Sequence, residues 1–175
     1  MNHTPFQGIY AALITPFTKQ GDVDYDVMKH LVRYLTNRRI DGFYVCGSTG
    51  ESFLLSQEER KRLLETVLEE NNGQKTVIAH VGNISTAFSE DLAKHACGAG
   101  TDAISAVTPF YFNFSPEEIL RYYFDLMDMG NKPMYVYNIP DRSGVTLTPD
   151  MLDALCTHPL LKGVKFTSSN FFDVA

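Results

Sequence analysis

Gly42-Phe43-Tyr44-Val45-Cys46-Gly47-Ser48-Thr49-Gly50-Glu51 runs an apolar segment straight into a polar turn with two glycines. The segment does not alternate between apolar and polar residues, so it reads as a strand buried on both faces. Similar runs recur about thirty residues apart, at Ile9 to Ile14, Thr76 to His80, Ala103 to Val107, Met134 to Tyr137 and Leu161 to Lys165. The segments between them are long enough for crossover helices, which predicts βα repeats and a parallel sheet. Helix starts are written between the runs. Ser56-Gln57-Glu58-Glu59 and Ser115-Pro116-Glu117-Glu118 fit the capping box, and Thr148-Pro149 opens a further helix. Val27, Leu31, Val32, Tyr34 and Leu35 form one expected sheet-facing stripe, and Leu63, Leu64, Val67 and Leu68 form another.

Each predicted strand is followed by polar or conformationally special residues. Thr15-Pro16 follow the first, Gly47 to Glu51 the second, Gly82-Asn83 the third, Thr108-Pro109 the fourth and Asn138-Ile139-Pro140 the fifth, while Lys165 ends the sixth. A doubly wound sheet gathers its site at one switch point, whereas a (β/α)8 barrel brings every strand end to a common mouth. The distribution favours an α/β TIM barrel. With 175 residues and six βα units, against the ~250 residues of a typical barrel, the chain is expected to be one incomplete barrel domain over residues 1–175, lacking its C-terminal units.

Composition narrows the functional classes. A content of 44% apolar and 21% charged residues is enough for a packed core and excludes a disordered chain. The net charge of −6, without a basic block, argues against nucleic acid and anionic membranes as partners. No apolar stretch reaches the ~20 residues of a membrane helix, and the N-terminus lacks a signal-peptide pattern. The three dispersed cysteines, Cys46, Cys97 and Cys156, predict reduced thiols in a soluble, cytoplasmic protein. The five histidines show no metal-ligand spacing, and His30 and His95 fall on predicted helices, so no metal is expected.

Lys165 ends a buried run, where a barrel enzyme keeps its catalysts. A lysine in an apolar pocket loses preference for its charged form, and the neutral amine attacks ketones to form a Schiff base; a salt-bridging lysine at a strand end is the alternative. Tyr137, ending the fifth run, places a phenol on the same rim, as a proton relay or as a structural tyrosine. Gly47 to Glu51 offers amides and hydroxyls to a carboxylate or phosphate, or is simply a turn. It matches neither the P-loop nor the dinucleotide fingerprint, which argues against nucleotide use. No G-x-S-x-G occurs to mark a serine nucleophile. The aromatic stretch Phe110-Tyr111-Phe112-Asn113-Phe114 suits a pocket lining or a subunit interface.

Taken together, GSTGE at Gly47 to Glu51, AISAVTPFYF at Ala103 to Phe112, YNIP at Tyr137 to Pro140 and GVKFTS at Gly163 to Ser168 resemble the pyruvate-dependent class I aldolases, the N-acetylneuraminate lyase and dihydrodipicolinate synthase family. The resemblance implies that Lys165 forms an imine with the keto carbon of pyruvate or sialic acid, so that no cofactor beyond this lysine is needed. It implies that Gly47, Ser48 and Thr49 hold the substrate carboxylate and that Tyr137 handles the proton, with Ile139 in the same motif as a binding residue. In the synthase branch the tyrosine matching Tyr111 joins the neighbouring subunit's proton relay. Members commonly form homotetramers, as dimers of dimers.

Ser48, PFYFNFSPEE, HVGNIST at His80 to Thr86 and KFTSSNFF resemble the lyase branch, which splits N-acetylneuraminate into pyruvate and N-acetylmannosamine. Arg142, in YNIPDRSG, resembles instead the synthases' pocket-mouth arginine. It suits a second carboxylate, as condensation of pyruvate with aspartate semialdehyde requires, or a salt bridge to Asp141 or another neighbour. The lyase is the favoured expectation; the synthase, another keto-acid aldolase and a noncatalytic barrel fragment are the alternatives.

Overall fold

The structure is a computed structural model describing residues 6–169. It divides into two compact units, one of residues 6–80 with 98–102 and one of residues 81–97 with 103–169.

In the first unit, strands β1 (Tyr10–Ala12), β2 (Gly42–Val45) and β3 (Thr76–His80) lie side by side in chain order and parallel, with Tyr10 opposite Gly42 and Gly42 opposite Thr76. β2 is buried throughout. Helices α1 (Tyr25–Thr36) and α2 (Gln57–Asn71) supply the crossovers. α1 begins where the Asp24 carboxylate accepts the Val27 N–H, and α2 where Ser56 and Glu59 cap each other reciprocally. Arg33 of α1 clamps Glu70 of α2 with two hydrogen bonds of 2.9 and 3.1 Å.

In the second unit, β4 (Ala103–Val107), β5 (Met134–Asn138) and β6 (Leu161–Phe166) are likewise parallel and in chain order. Helix α3 (Thr86–Ala99), whose last two residues fall in the first unit, precedes β4, and α4 (Pro116–Gly130), the short α5 (Pro140–Ser143) and α6 (Pro149–Cys156) follow it. α4 starts at the expected capping box, with Pro116 at its first turn, and stops at Asn131 in the left-handed region. Tyr123, fully buried on α4, donates its hydroxyl to the carbonyl of Ala106 at 3.2 Å, which removes the cost of burying a phenol without a partner. Between β5 and β6 the pairing steps over Lys162, and Gly163 lies against the Tyr135 ring, where a Cβ would come within 3.2 Å of it.

All six predicted strands are present, but two expectations need correction. β1 and β6 are not buried on both faces: Ala12 is exposed, as are Ile9 and Ile14 flanking β1 at 65% and 54%, and β6 is only partly covered. Among the described residues each pairs with a strand on one side only, as expected for the end strands of an incomplete barrel. The α1 stripe is also narrower. Met28 and Val32 are buried, whereas Val27 and Tyr34 are exposed, because residues 27 and 34 share a row displaced from the one that meets the core. Among the described residues no helix is long and apolar enough to cross a membrane.

The Glu59 carboxylate is held below its ordinary range by hydrogen bonds from the Ser56 hydroxyl and backbone N–H. This contribution is complete above the unfolded carboxylate pKa and is lost as acid titrates the folded group. Ser56→Ala should therefore cost about 1 kcal/mol at neutral pH and less in acid, measured by urea unfolding at both.

Candidate active site

The polar turn of the first unit leaves β2 through a backbone that a strand cannot continue. Cys46 is left-handed, with φ +56°, and Gly47 follows with its Cα over the Tyr44 ring, where a Cβ would come within 2.5 Å of ring carbon. Ser48–Gly50 make one 3₁₀ turn, Glu51 is left-handed at φ +55°, and Ser52–Leu54 make a second turn. The Gly50, Glu51 and Ser52 N–H groups are spent inside the loop, on the carbonyls of Gly47, Ser48 and Gly47. The Thr15 hydroxyl, in the segment after β1, donates to the Gly50 carbonyl at 2.6 Å and anchors the loop. Ser48 and Thr49 differ: both are exposed, and among the described residues neither donates a hydrogen bond from its N–H or hydroxyl. Donors held on a fixed backbone with no internal acceptor suit an acceptor-only ligand such as a carboxylate.

Below this loop lies a buried polar group whose role the sequence reading missed. His80, at the end of β3 and 2% exposed, brings Nδ1 to 3.0 Å from the Cys46 carbonyl. A carbonyl only accepts, so Nδ1 carries the hydrogen. Arg60 of α2, also 2% exposed, donates from Nη2 to the His80 carbonyl at 2.8 Å. The Tyr44 and Phe53 rings stand 6.2 and 5.9 Å from the imidazole. The signal for His80 was a histidine closing an otherwise apolar strand. Burial pushes the Cys46 thiol up to about 11, against the lowering effect of Arg60.

In the second unit, Lys165 and Tyr137 are direct register partners on β6 and β5. Cβ atoms of paired residues point to the same face, and the Lys165 Nζ stands 3.4 Å from the centroid of the Tyr137 ring. Tyr137 is buried, packed with Val107, Ile139 and the partly buried Phe110. Lys165 is half-buried over an aromatic face, with the Thr167 hydroxyl 3.5 Å from Nζ. Thr167, given no role beforehand, is placed by its N–H, which donates to the Asn138 carbonyl at 2.9 Å.

Lys165, Tyr137 and Ile139 thus meet around β5 and β6, and Gly47, Ser48 and Thr49 share one loop. Two other candidates stand on exposed ground. Tyr111 is 84% exposed in a left-handed backbone, φ +76°, its ring edge-on to Phe112 at 5.0 Å. Arg142 is exposed on α5, and among the described residues the ion pair with Asp141 does not form. Among the described residues no three His, Cys, Asp or Glu side chains cluster as metal ligands.

Polar residues at the strand ends of parallel βα units place the chain in a class, and comparison with known proteins assigns it. Residues 5–175 match the model of the dihydrodipicolinate synthetase family, and the chain belongs to that family. It is 48% identical over 169 residues to the N-acetylneuraminate lyase of Salmonella paratyphi B, an alignment covering 96% of this chain and 57% of that protein. A Clostridium difficile protein called CdNal, solved in complex with mannosamine, superposes with a TM-score of 0.95 at 37% identity, over 98% of this chain and 59% of the other. A catalytic lysine mutant of Ruminococcus gnavus sialic acid aldolase gives 0.94 at 34% identity, over 97% and 56%. The chain therefore spans a little over half the length of these relatives, and its fold is part of a TIM barrel, as the strand ends predict.

The burial pattern predicts thiol reactivity. In the native protein at mildly alkaline pH, iodoacetamide should label exposed Cys156 and leave Cys46 unmodified until denaturant is added, as read by peptide mass mapping.

Proposed function

We propose that the protein is a Schiff-base aldolase acting as an N-acetylneuraminate lyase, with Lys165 as the nucleophile. The observation that carries this reading is the Lys165 amine seated on the Tyr137 ring at adjacent strand ends. The names of the relatives support it: N-acetylneuraminate lyases, a complex with mannosamine and a sialic acid aldolase with a catalytic lysine.

In this reading the Lys165 amine adds to the C2 ketone of open-chain N-acetylneuraminate, and loss of water gives a protonated imine. Tyr137 gives its phenolic proton to that departing water, and the phenolate so formed takes the proton of the C4 hydroxyl as the C3–C4 bond breaks and the bonding pair flows to the imine nitrogen, leaving an enamine. N-acetylmannosamine departs as the aldehyde. Protonation at C3 and hydrolysis then release pyruvate and restore the amine. Ser48 and Thr49 hold the C1 carboxylate through their uncommitted donors, Ile139 supports the apolar side, and no metal or nucleotide takes part. Assembly as a dimer of dimers would give exposed Tyr111 a subunit neighbour.

A second reading, condensation of pyruvate with aspartate semialdehyde, is favoured by one observation: Arg142 is exposed and unpaired among the described residues, available for a second carboxylate. Arg142→Leu separates the two. It should leave sialic acid cleavage within about threefold and cut the condensation by tenfold or more, the scale of a lost charged hydrogen bond.

Tyr137→Phe should lower kcat for N-acetylneuraminate about a hundredfold or more with KM little changed, because it deletes a proton carrier and almost no volume. An unchanged kcat removes Tyr137 from the mechanism. Lys165→Arg should abolish cleavage, since a guanidinium stays protonated and forms no imine, and turnover by that variant would refute the reading.

A further inference from the structure

The Gly47–Glu51 loop and the Cys46 that leads into it are held at three points, all within the first unit. Thr15 takes the Gly50 carbonyl, the Tyr44 ring fills the space under Gly47, and His80 takes the Cys46 carbonyl. The third point differs in kind. Cys46 is the residue whose left-handed backbone turns the chain out of β2, a conformation costly for any residue with a side chain and held only where its surroundings determine it. The imidazole that meets its carbonyl is itself oriented on several sides. The Phe53 ring stands edge-on to it at 84° and the Tyr44 ring is tilted at 43°, while Arg60 ties the His80 carbonyl to α2. Phe53 belongs to the second 3₁₀ turn, so the loop's far end bears on the same imidazole that holds its near end.

We propose that His80 is a positioning residue for the carboxylate-binding loop: its Nδ1–H fixes the Cys46 carbonyl and so sets where Ser48 and Thr49 present their donors. The inference rests on the reading that this loop binds the keto-acid carboxylate. His80 touches no substrate in this scheme and takes no part in the imine chemistry. Removing it displaces the loop's first residues, which weakens recognition of the carboxylate while leaving the Lys165 amine and the Tyr137 phenol intact.

The test compares pyruvate with pyruvamide, its neutral amide analogue, in the full chain. Both carry the same ketone, and the half-saturating concentration for borohydride-trapped adduct on Lys165 is read for each. The unmutated protein should prefer pyruvate strongly. His80→Leu should reduce that preference about tenfold, the scale of one hydrogen bond to a charged group, while His80→Asn, whose amide N–H occupies the place of Nδ1, should keep it within about threefold. Circular dichroism establishes that each variant is folded.

If the unmutated protein does not distinguish the two ketones, the loop does not bind the carboxylate, and the reading beneath the inference falls with it. If it does distinguish them and His80→Leu discriminates equally well, the loop reading stands and the inference about His80 is overturned. Loss of discrimination in His80→Asn equal to that in His80→Leu also overturns it, since the donor would then not be what matters. Nitrogen NMR of the unmutated protein gives a test independent of folding of the variants: His80 must carry hydrogen on Nδ1, and a ring protonated only on Nε2 overturns the proposal.

Discussion

Parallel pairing is the constraint from which the rest follows. A parallel neighbour can be reached only by returning the chain to the strand's starting edge, so every strand in a parallel sheet ends on the same rim. Within each unit this places the loops after the strands together and gives them a rigid base of backbone hydrogen bonds. It also fixes which side chains meet. Tyr137 and Lys165 are separated by a helix-bearing crossover, yet register makes them neighbours and brings the amine to 3.4 Å from the ring centroid.

The two halves of the proposed chemistry are built differently. The lysine and tyrosine belong to strands, whose positions are set by many cooperative hydrogen bonds and by a buried apolar cluster with Val107 and Ile139. The Gly47–Glu51 loop has no ladder. It is defined by short 3₁₀ turns, by two left-handed residues and by contacts from buried side chains beneath it. Its internal hydrogen bonds consume some of its N–H groups and leave Ser48 and Thr49 uncommitted. Such a division suits an enzyme in which a covalent step demands accurate placement of reacting atoms and a separate recognition step demands donors for a charged group.

Much of this was legible in the residues, for identifiable reasons. Continuous apolar runs mark parallel strands because burial on both faces removes the alternation, and the two Ser-x-x-Glu boxes mark helix starts because they satisfy orphan N–H groups locally. What periodicity does not carry is the number of neighbours. Ile9 and Ile14 read as buried, yet they flank a strand paired on one side among the described residues. Val27 and Tyr34 lie on α1 beside the buried row rather than in it, an ambiguity of about one residue in helical phase. The Tyr137 ring beneath Lys165, and the His80 imidazole beneath the loop, are tertiary facts. Each arises from register between separate strands, which no single run displays.

The central claim is that Lys165 carries the covalent chemistry. Its most direct measurement is the intact mass of the full chain after incubation with pyruvate and borohydride, followed by peptide mapping of any adduct. A single reduced pyruvate adduct, located on Lys165, is expected. A chain that stays unmodified, or an adduct placed on another lysine, would contradict it.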